Sequence, residues 1–249
     1  MCLILWRSQP DAEYPLVLMA NRDEFYQRPT QPAAWWADAP SVYGGRDLVA
    51  GGTWLAMAAN RRWAALTNIR EPARFDPAAP SRGTLISDYV TGEAAPAAYI
   101  AQLRAANVPY NGYNLLLGEG PRVWHYNNRD DAFTAVGEGL HGLSNATLDT
   151  PWPKVVKGKA KLAALTAAAP PAPPTFFDAL NDVDQGHDAD LPETGVGLDM
   201  ERQLSPLFIA IPDKGYGTRC SSVLLMHRSG RVTFAERTHA DGTTRIETI

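Results

Sequence analysis

Four pairs of short apolar runs, each pair joined by a brief polar turn, place the strongest constraint on the fold of this chain. Apolar runs bounded by Gly, Pro, Asn, Asp or Ser are typical of the strands of β-hairpins. The pairs lie at residues 2–7 and 15–20, 54–57 and 63–66, 115–117 and 123–126, and 222–226 and 232–234. We therefore expect antiparallel β-structure near both ends of the chain and in its middle.

Helical patterns fall between these hairpins. The sequence predicts helices at 83–91, 95–106 and 153–168, the last with a proline near its start, where this residue fits the first turn. The proline-rich stretch 170–174 is predicted to end that helix as a stiff connector. Strands at both ends with helices grouped between them favour an α+β fold with antiparallel sheets covered by helices, and disfavour alternating βαβ units.

The composition is that of a globular protein. Of the 249 residues, 45% are hydrophobic and 20% are charged, which excludes wholesale disorder, and no linker divides the chain into halves. We expect a single domain over 1–249. The net charge of −4 offers no basic footprint for nucleic acid. No apolar run approaches the roughly 18 residues that a transmembrane helix needs.

The first residues bear on localisation. A secretory signal has a basic region followed by an apolar stretch of about 7–15 residues. Here the apolar run after Met1 is short and stops at Arg7, so we expect a cytoplasmic protein. With only two cysteines and a reducing compartment, a disulfide framework is not expected.

Cys2 is the first residue that could carry chemistry. It directly follows the initiator Met1 and is small enough to allow removal of that methionine. The processed chain would then carry a thiol and a free α-amine on one residue, and an N-terminal amine can act as the base for its own nucleophile. The alternative is that Cys2 is a small hydrophobic residue that starts a strand.

A polar run, Asn21-Arg22-Asp23-Glu24, follows the second apolar run. Such a run usually forms a solvated turn, but the first hairpin would bring this strand end back toward Cys2. Arg22 could then lower the pKa of the thiol through its charge, and Asp23 could orient the amine.

Further polar residues stand at predicted strand ends, and each is by itself equally typical of a turn or a cap. Asn68 and Asn145 are possible donors to a developing oxyanion, and Arg219 precedes the last hairpin. The five histidines are scattered and lack the close spacing of a zinc site. No glycine-rich phosphate-binding motif is present.

Taken together, these motifs resemble the NRDE family, also known as the transport-and-Golgi-organisation protein 2 family. They run in family order across nearly the whole chain. The matching segments are Met1-Cys2-Leu3-Ile4-Leu5-Trp6, Asn21-Arg22-Asp23-Glu24, Gly51-Gly52-Thr53-Trp54-Leu55, Leu66-Thr67-Asn68-Ile69-Arg70, Gly142-Leu143-Ser144-Asn145, Pro151-Trp152-Pro153-Lys154 and Tyr216-Gly217-Thr218-Arg219.

The resemblance implies the N-terminal-nucleophile (Ntn) hydrolase fold, an αββα four-layer sandwich with two antiparallel sheets between helical layers. Cysteine-type amidases, such as penicillin V acylase and bile-salt hydrolase, are similar to this family. They use an N-terminal Cys, an Arg and an Asp after the second strand, two Asn and a late Arg. The corresponding residues of this chain are Cys2, Arg22, Asp23, Asn68, Asn145 and Arg219.

One departure from the amidases concerns the acidic residue. Arg22 and Asp23 are adjacent here, whereas the amidases separate the two by two residues. Adjacent strand residues point to opposite faces, so both can face Cys2 only if the strand ends or bulges there. Glu24 is otherwise the alternative carboxylate.

These observations favour a cysteine amidohydrolase-like protein that acts on a small amide through a thioester on Cys2 and needs no cofactor. Eukaryotic members of the family are associated with intracellular haem movement and with lipid or acyl-CoA homeostasis. The alternative is therefore a non-enzymatic haem-binding or haem-trafficking protein with haem as its ligand. A purely structural or interaction role is the third interpretation.

Overall fold

A computed structural model of the chain describes residues 2–168, 170 and 172–249. The strands within these residues are β1 (Cys2–Ser8), β2 (Leu16–Phe25), β3 (Thr30–Trp35), β4 (Val42–Asp47), β5 (Leu55–Ala58), β6 (Arg62–Asn68), β7 (Tyr113–Glu119), β8 (Arg122–Asn127), β9 (Ala132–Val136), β10 (Gly139–Leu143), β11 (Ala210–Ile211), β12 (Tyr216–Met226), β13 (Val232–Thr238) and β14 (Thr244–Thr248). The α-helices are α1 (Thr84–Thr91), α2 (Pro96–Ala106), α3 (Pro153–Leu165), α4 (Pro173–Leu180) and α5 (Leu198–Leu204).

The chain divides into two compact units that alternate along the sequence. Unit 1 takes in the chain up to Gln27, Arg70–Ala73 and everything from Glu138 onward. Unit 2 consists of Arg28–Ile69 and Arg74–Gly137. Each unit holds one antiparallel sheet and the helices that cover it. These are the components that the predicted αββα arrangement requires, and a single domain over 1–249 stays a prediction.

Unit 1 is built on a sheet with the strand order β10-β1-β2-β12-β13-β14, and β11 pairs with β12. Side chains alternate between the two faces of its strands. On one face, Leu3, Leu5 and Met19 pack with Phe176 and Phe177 of α4 in a buried apolar core, to which α3 also contributes. Cys2 lies one residue out of phase with Leu3 and therefore projects from the other face.

Unit 2 is a meander in which β3 to β9 pair in chain order. Leu66, Leu115 and Leu117 pack with Ile86 of α1 and Ile100 of α2, which gives this unit its own apolar core. Strands β6 and β7 are buried on both faces along most of their length, so the centre of the sheet carries few fully exposed side chains.

The opposite face of this sheet carries a buried polar network. Asn114 Nδ2 donates to Thr67 Oγ1 at 3.2 Å, and Asn127 Nδ2 donates to Asn114 Oδ1 at 3.0 Å. His125 Nε2 lies 3.0 Å from the same Asn114 oxygen. Buried polar side chains that satisfy one another in this way hold neighbouring strands in register without exposing polar atoms to an apolar core.

A close backbone approach explains one glycine of unit 2. The chain at Gly52 runs against Gly83, just before α1, and Thr53 N donates to Gly83 O at 3.2 Å. A Cβ atom on Gly52 would lie 2.3 Å from the carbonyl carbon of Gly83. The second glycine of the Gly-Gly-Thr-Trp-Leu segment is therefore required by packing.

The four predicted hairpins are confirmed as β1–β2, β5–β6, β7–β8 and β12–β13. The helix predicted at 153–168 ends earlier, at Leu165. The stiff connector predicted at 170–174 is wrong in its second half, because Pro173 occupies the first turn of α4, where a missing N–H costs nothing. Pro171 lies outside the described residues.

Candidate active site

The ladder between β1 and β2 places Cys2 directly opposite Arg22. The register runs from Ser8 opposite Leu16 to Cys2 opposite Arg22. Directly opposed residues of an antiparallel pair project from the same face, so the thiol and the guanidinium group share one side of the sheet. Both residues are buried, at 8% and 9% exposure. The expected return of this strand end to Cys2 is confirmed.

The other cysteine, Cys220, continues the line of directly opposed residues begun by Cys2 and Arg22, and we call these three residues the row. Cys220 of β12 pairs with Arg22 from the opposite side. Since neighbouring strands are about 4.8 Å apart, the two cysteines are separated by about 10 Å across Arg22. A disulfide needs Cα atoms within about 7 Å, so the row holds two separate thiols.

Opposing influences act on the Cys2 thiol. Burial raises the pKa of Cys2, and the negative charge of Asp23 raises it further. The charge of Arg22 and a hydrogen bond from the backbone N–H of Asp23 lower the pKa of Cys2, but burial outweighs them. The expected influence of Arg22 is present, yet the resting group is a thiol that must lose its proton before it can act as a nucleophile.

Asp23 lies on the face of β2 opposite to that of Arg22. The strand does not end at the polar run but continues to Phe25, and the irregularity lies instead in β12, between Thr218 and Cys220. Asp23 Oδ1 accepts a hydrogen bond from Thr218 Oγ1 at 2.7 Å. Burial raises the pKa of Asp23, and the positive charge of Lys154 is the strongest influence that lowers it.

The structure therefore explains how the adjacent residues Arg22 and Asp23 can both influence Cys2. The Asp23 side chain is directed to the other face, while its backbone N–H reaches the Cys2 sulfur. Glu24, the alternative carboxylate, is only partly buried and accepts a hydrogen bond from the N–H of Phe25 at 2.9 Å.

Asn145 is tied to the backbone of Cys2 through its neighbour. It follows the end of β10, the strand that flanks β1 on its other side. Ser144 Oγ lies 3.3 Å from Cys2 O and 3.1 Å from Asn145 Oδ1, as a donor to either. Asn145 is 1% exposed, and its carbonyl oxygen accepts a hydrogen bond from Arg70 N at 2.8 Å.

The remaining two predicted residues lie in different places. Arg219 is the extra residue at the β12 irregularity, and its Nη1 donates to Phe25 O at 2.7 Å. This contact fixes the guanidinium group of Arg219 at the C-terminal end of β2, the end that also carries Arg22. Asn68 is the last residue of β6 and belongs to unit 2, so its assignment rests on the resemblance alone.

Sequence reasoning missed a buried ion pair in unit 1. Arg70 and Glu201 are joined by a charge-assisted hydrogen bond, and both side chains are at most 5% exposed. The Arg70 guanidinium lies 4.7 Å from the centre of the Trp152 ring, and Thr194 N donates to Glu201 at 3.0 Å. A buried pair of this kind has its charges compensated by direct contacts.

Sequence reasoning also missed Lys154, in the first turn of α3. Its side chain is buried, at 2% exposure, which is rare for lysine. Burial lowers the pKa of Lys154 to about 8, against the opposing influence of Asp23. Both Lys154 and Arg70 stood within recognised motifs, but nothing in the letters marked them as buried.

Comparison with known proteins identifies the family. The sequence profile described as "Transport and Golgi organisation 2" matches residues 1–241. The chain belongs to the transport and Golgi organisation 2 family. The mouse "Transport and Golgi organization 2 homolog" is 32% identical over 100% of this chain and 97% of its own length. The Drosophila melanogaster "Transport and Golgi organization protein 2" is 31% identical over 96% and 92%.

The fold of this transport and Golgi organisation 2 family member is shared with a solved amidase. The Caenorhabditis elegans N-acylethanolamine-hydrolyzing acid amidase (NAAA) ortholog matches with a TM-score of 0.51 at 9% identity, covering 90% of this chain and 92% of its own. At this identity the likeness concerns the fold alone. The predicted α+β, Ntn-hydrolase class is confirmed by it.

The first residue of the four-letter run has a structural role in this family member. Asn21 Nδ2 donates to the carbonyl oxygens of Leu180 and Leu207 at 3.2 and 2.8 Å. Ser221 Oγ donates to Asn21 Oδ1 at 2.6 Å. Asn21 therefore ties β2 and β12 to the end of α4, which holds the adjacent Arg22 in its row.

Across 2–168, 170 and 172–249, no group of three His, Cys, Asp or Glu side chains could hold a metal ion. His125, the buried histidine, uses its Nε2 in the Asn114 network, so it fits a structural role better than that of a haem ligand. Over the same residues, none of the helices has the length and apolar character needed to cross a bilayer.

Proposed function

We propose that this chain is a cysteine amidohydrolase that cleaves a small amide through a thioester on Cys2. The observation that carries the proposal is the row in which Cys2, the first residue of β1, lies opposite Arg22. The buried Asp23 directly follows Arg22 in β2. The shared fold with an acid amidase, whose name gives N-acylethanolamines as its substrates, supports an acyl amide as the substrate class. We infer a cytoplasmic setting, where reducing conditions keep Cys2 as a thiol.

The first half of the reaction forms the thioester. Removal of Met1 would leave a free α-amine on Cys2, and this amine accepts the proton of the thiol. The thiolate attacks the amide carbon, and the carbon–nitrogen bond breaks as the leaving amine takes up the proton. Arg22 stabilises the thiolate through its charge.

The second half consumes water. A water molecule gives its proton to the same α-amine and attacks the thioester carbon. The carbon–sulfur bond breaks, the carboxylic acid leaves, and the thiol is restored with the returned proton. Asn145 is the proposed donor to the oxyanion of both tetrahedral intermediates, for which its burial beside the Cys2 backbone is favourable.

The other assigned residues support these steps. Asp23 orients the α-amine, and Thr218 fixes that carboxyl group by its 2.7 Å hydrogen bond. Arg219 holds the end of β2 in place through Phe25 O and adds positive charge to this region of the sheet.

The test is a screen of N-acyl amides and lactams with four proteins: the wild type, Cys2→Ala, Cys2→Ser and Cys220→Ala. We expect turnover by the wild type and by Cys220→Ala, and none by Cys2→Ala. Binding of a substrate by Cys2→Ala should persist, because neighbouring groups supply most ground-state contacts. Turnover that survives in Cys2→Ala, or the absence of any wild-type turnover across the screen, would refute the proposal.

A further inference from the structure

Asp149 closes the loop that carries Asn145. The strand order of the unit 1 sheet begins with β10, whose outer edge has no neighbouring strand among the described residues. At that edge Gly142 N donates to Asp149 Oδ1 at 2.9 Å, and Asp149 N donates to Gly142 O at 2.9 Å. The chain therefore leaves β10, passes through Asn145 and returns to Gly142, where the backbone and the side chain of Asp149 both hold it.

The backbone of Asp149 suits this contact. Its φ of 58° lies in the left-handed region, which aspartate adopts more readily than most residues that carry a side chain. In this conformation both the N–H and the carboxylate of Asp149 meet Gly142. Residues other than Gly, Asn and Asp would add backbone strain here, so the backbone restricts this position as well as the contacts.

Two further side chains fix the carboxylate of Asp149. Lys159 Nζ of α3 lies 2.8 Å from Asp149 Oδ1, and His141 Nδ1 of β10 lies 2.8 Å from Asp149 Oδ2. The ring of His141 in turn contacts the ring of Trp6 in β1, with 5.3 Å between the ring centres. One carboxylate thus ties the end of the loop to β10, to α3 and, through His141, to β1.

The beginning of the loop lies beside Cys2. The ladder between β1 and β10 ends with Ile4 opposite Leu143, and two more residues in the same register would bring Asn145 level with Cys2. Ser144 Oγ lies 3.3 Å from Cys2 O and 3.1 Å from Asn145 Oδ1. The distance of the Asn145 side chain from Cys2 therefore depends on where the loop is closed.

We propose that Asp149 is a positioning residue, whose carboxylate holds the Asn145 loop where the amide of Asn145 can donate to the oxyanion. This inference rests on the proposed function, in which Asn145 is the donor to both tetrahedral intermediates. Such a donor acts only when it is aimed at the place that the oxyanion will occupy. A displacement of about 1 Å can cost about a hundredfold in rate, so a loop that opens at Asp149 loses most of this effect.

The experiment compares the wild type with Asp149→Asn, Asp149→Gly and Asp131→Gly. Asparagine and glycine both accept the left-handed backbone, but only asparagine keeps a side-chain oxygen for Gly142 N. Asp131→Gly is the matched control, because Asp131 also has a positive φ, of 49°, and pairs with Arg104 in unit 2. We measure kcat and KM with the N-acyl amide that the wild type turns over fastest in the screen. Hydrogen exchange with mass spectrometry follows the backbone amides of 142–149.

We expect Asp149→Gly to lower kcat by about tenfold to a hundredfold with little change in KM, because the lost interaction is made in the transition state. Exchange across 142–149 should become faster in the same variant. Asp149→Asn should restore most of both properties, and Asp131→Gly should match the wild type. Alkylation of Cys2 by iodoacetamide should be equal in all four proteins, because Asn145 acts on the oxyanion and not on the thiol.

A double-mutant cycle distinguishes positioning from a general loss of structure. Asp149→Gly added to Asn145→Ala should lower kcat no further, because Asp149 acts through Asn145. Effects that multiply would overturn the inference, as would an unchanged kcat in Asp149→Gly. If Asp149→Gly does not fold, Lys159→Met takes its place, since it removes one partner of the carboxylate and leaves the Gly142 contacts. Unchanged kcat and exchange in Lys159→Met would then overturn the inference.

The two measurements separate this inference from the proposed function. If the wild type hydrolyses no amide, the proposed function fails, and the exchange rates alone decide whether Asp149 holds the Asn145 loop. Faster exchange in Asp149→Gly supports that role, and unchanged exchange overturns it. If turnover depends on Cys2 while Asp149→Gly keeps the kcat of the wild type, the inference fails and the proposed function stands.

Discussion

Cys2 and Cys220 lie on either side of Arg22 in one row that crosses three strands, so one guanidinium group acts on two thiols. Burial raises the pKa of Cys220 well above its usual value, and Glu236 raises it further. At neutral pH we therefore expect Cys2 to react with iodoacetamide faster than Cys220.

Replacing Arg22 should slow both reactions. We expect Arg22→Ala to reduce the alkylation rate of each cysteine by about tenfold, the effect of one pKa unit. Peptide mass mapping after timed labelling measures the two rates separately. Arg228→Ala, which removes an exposed arginine beyond the end of β12, is the matched control and should change neither rate. Rates in Arg22→Ala equal to those of the control would remove Arg22 from the site.

The N-terminus should be processed in the native host. Cys2 is small, and small residues in the second position permit removal of the initiator Met1. We expect the intact mass of the purified protein to correspond to a chain that begins at Cys2. A protein that uniformly keeps Met1 would exclude the α-amine as the base.

The lowered pKa of Lys154 should make the free energy of unfolding depend on pH. Its pKa is about 8 in the folded protein and about 10.4 in the unfolded chain, so between these values the unfolded chain binds more protons. The contribution of Lys154 to the free energy of unfolding must then rise with pH across this window, by roughly 3 kcal/mol in all. Urea unfolding at several pH values should show the rise as a difference between wild type and Lys154→Met. A constant difference across pH 8 to about 10.4 would contradict a buried Lys154.

The close approach of Gly52 to Gly83 predicts a cost for any side chain at position 52. The added Cβ of Gly52→Ala would meet the backbone of Gly83 at 2.3 Å, and backbone cannot rotate away as a side chain can. We expect a loss of about 1–3 kcal/mol or more in the free energy of unfolding, measured with urea. Gly137→Ala is the control, because nothing lies within 4 Å of a Cβ built there. Equal stability of the two variants would show that the contact is relaxed in solution.

Haem binding distinguishes the enzyme from the alternative of a carrier. Titration with haem should give no saturable, stoichiometric Soret shift if the protein is an amidase without a haem site. A saturable shift that is lost in a single His, Cys or Met variant, together with no Cys2-dependent amide turnover, would favour the carrier.

The hairpins were predictable because their information is local. Alternating apolar residues and a polar turn fix β1 with β2 and β7 with β8 without reference to the rest of the chain. Strand β9 was not predicted, because its residues are mostly exposed and lack an apolar pattern. The start of α4 was misread, because prolines that end one helix can equally begin the next.

The site was predictable only where two residues share a hairpin. The opposition of Cys2 and Arg22 follows from the turn length between β1 and β2. The contact of Asp23 with Thr218 and the approach of Arg70 to Glu201 join residues more than 100 positions apart, and only the completed fold brings them together. Burial of Lys154 depends on the same long-range packing, so nothing local to the Pro151-Trp152-Pro153-Lys154 segment indicates it.

The alternation of the two units along the chain sets an order of events during synthesis. The strands of unit 2 are all encoded before Glu138 and pair with their neighbours in sequence, so its sheet can form while the rest of the chain is still on the ribosome. The sheet of unit 1 must wait for β12, which is translated last but for two strands and lies beside β2. The strand that leaves the ribosome first, β1, therefore belongs to the sheet that closes last. We expect a methionine aminopeptidase to act during this delay, before the strand that begins at Cys2 is buried.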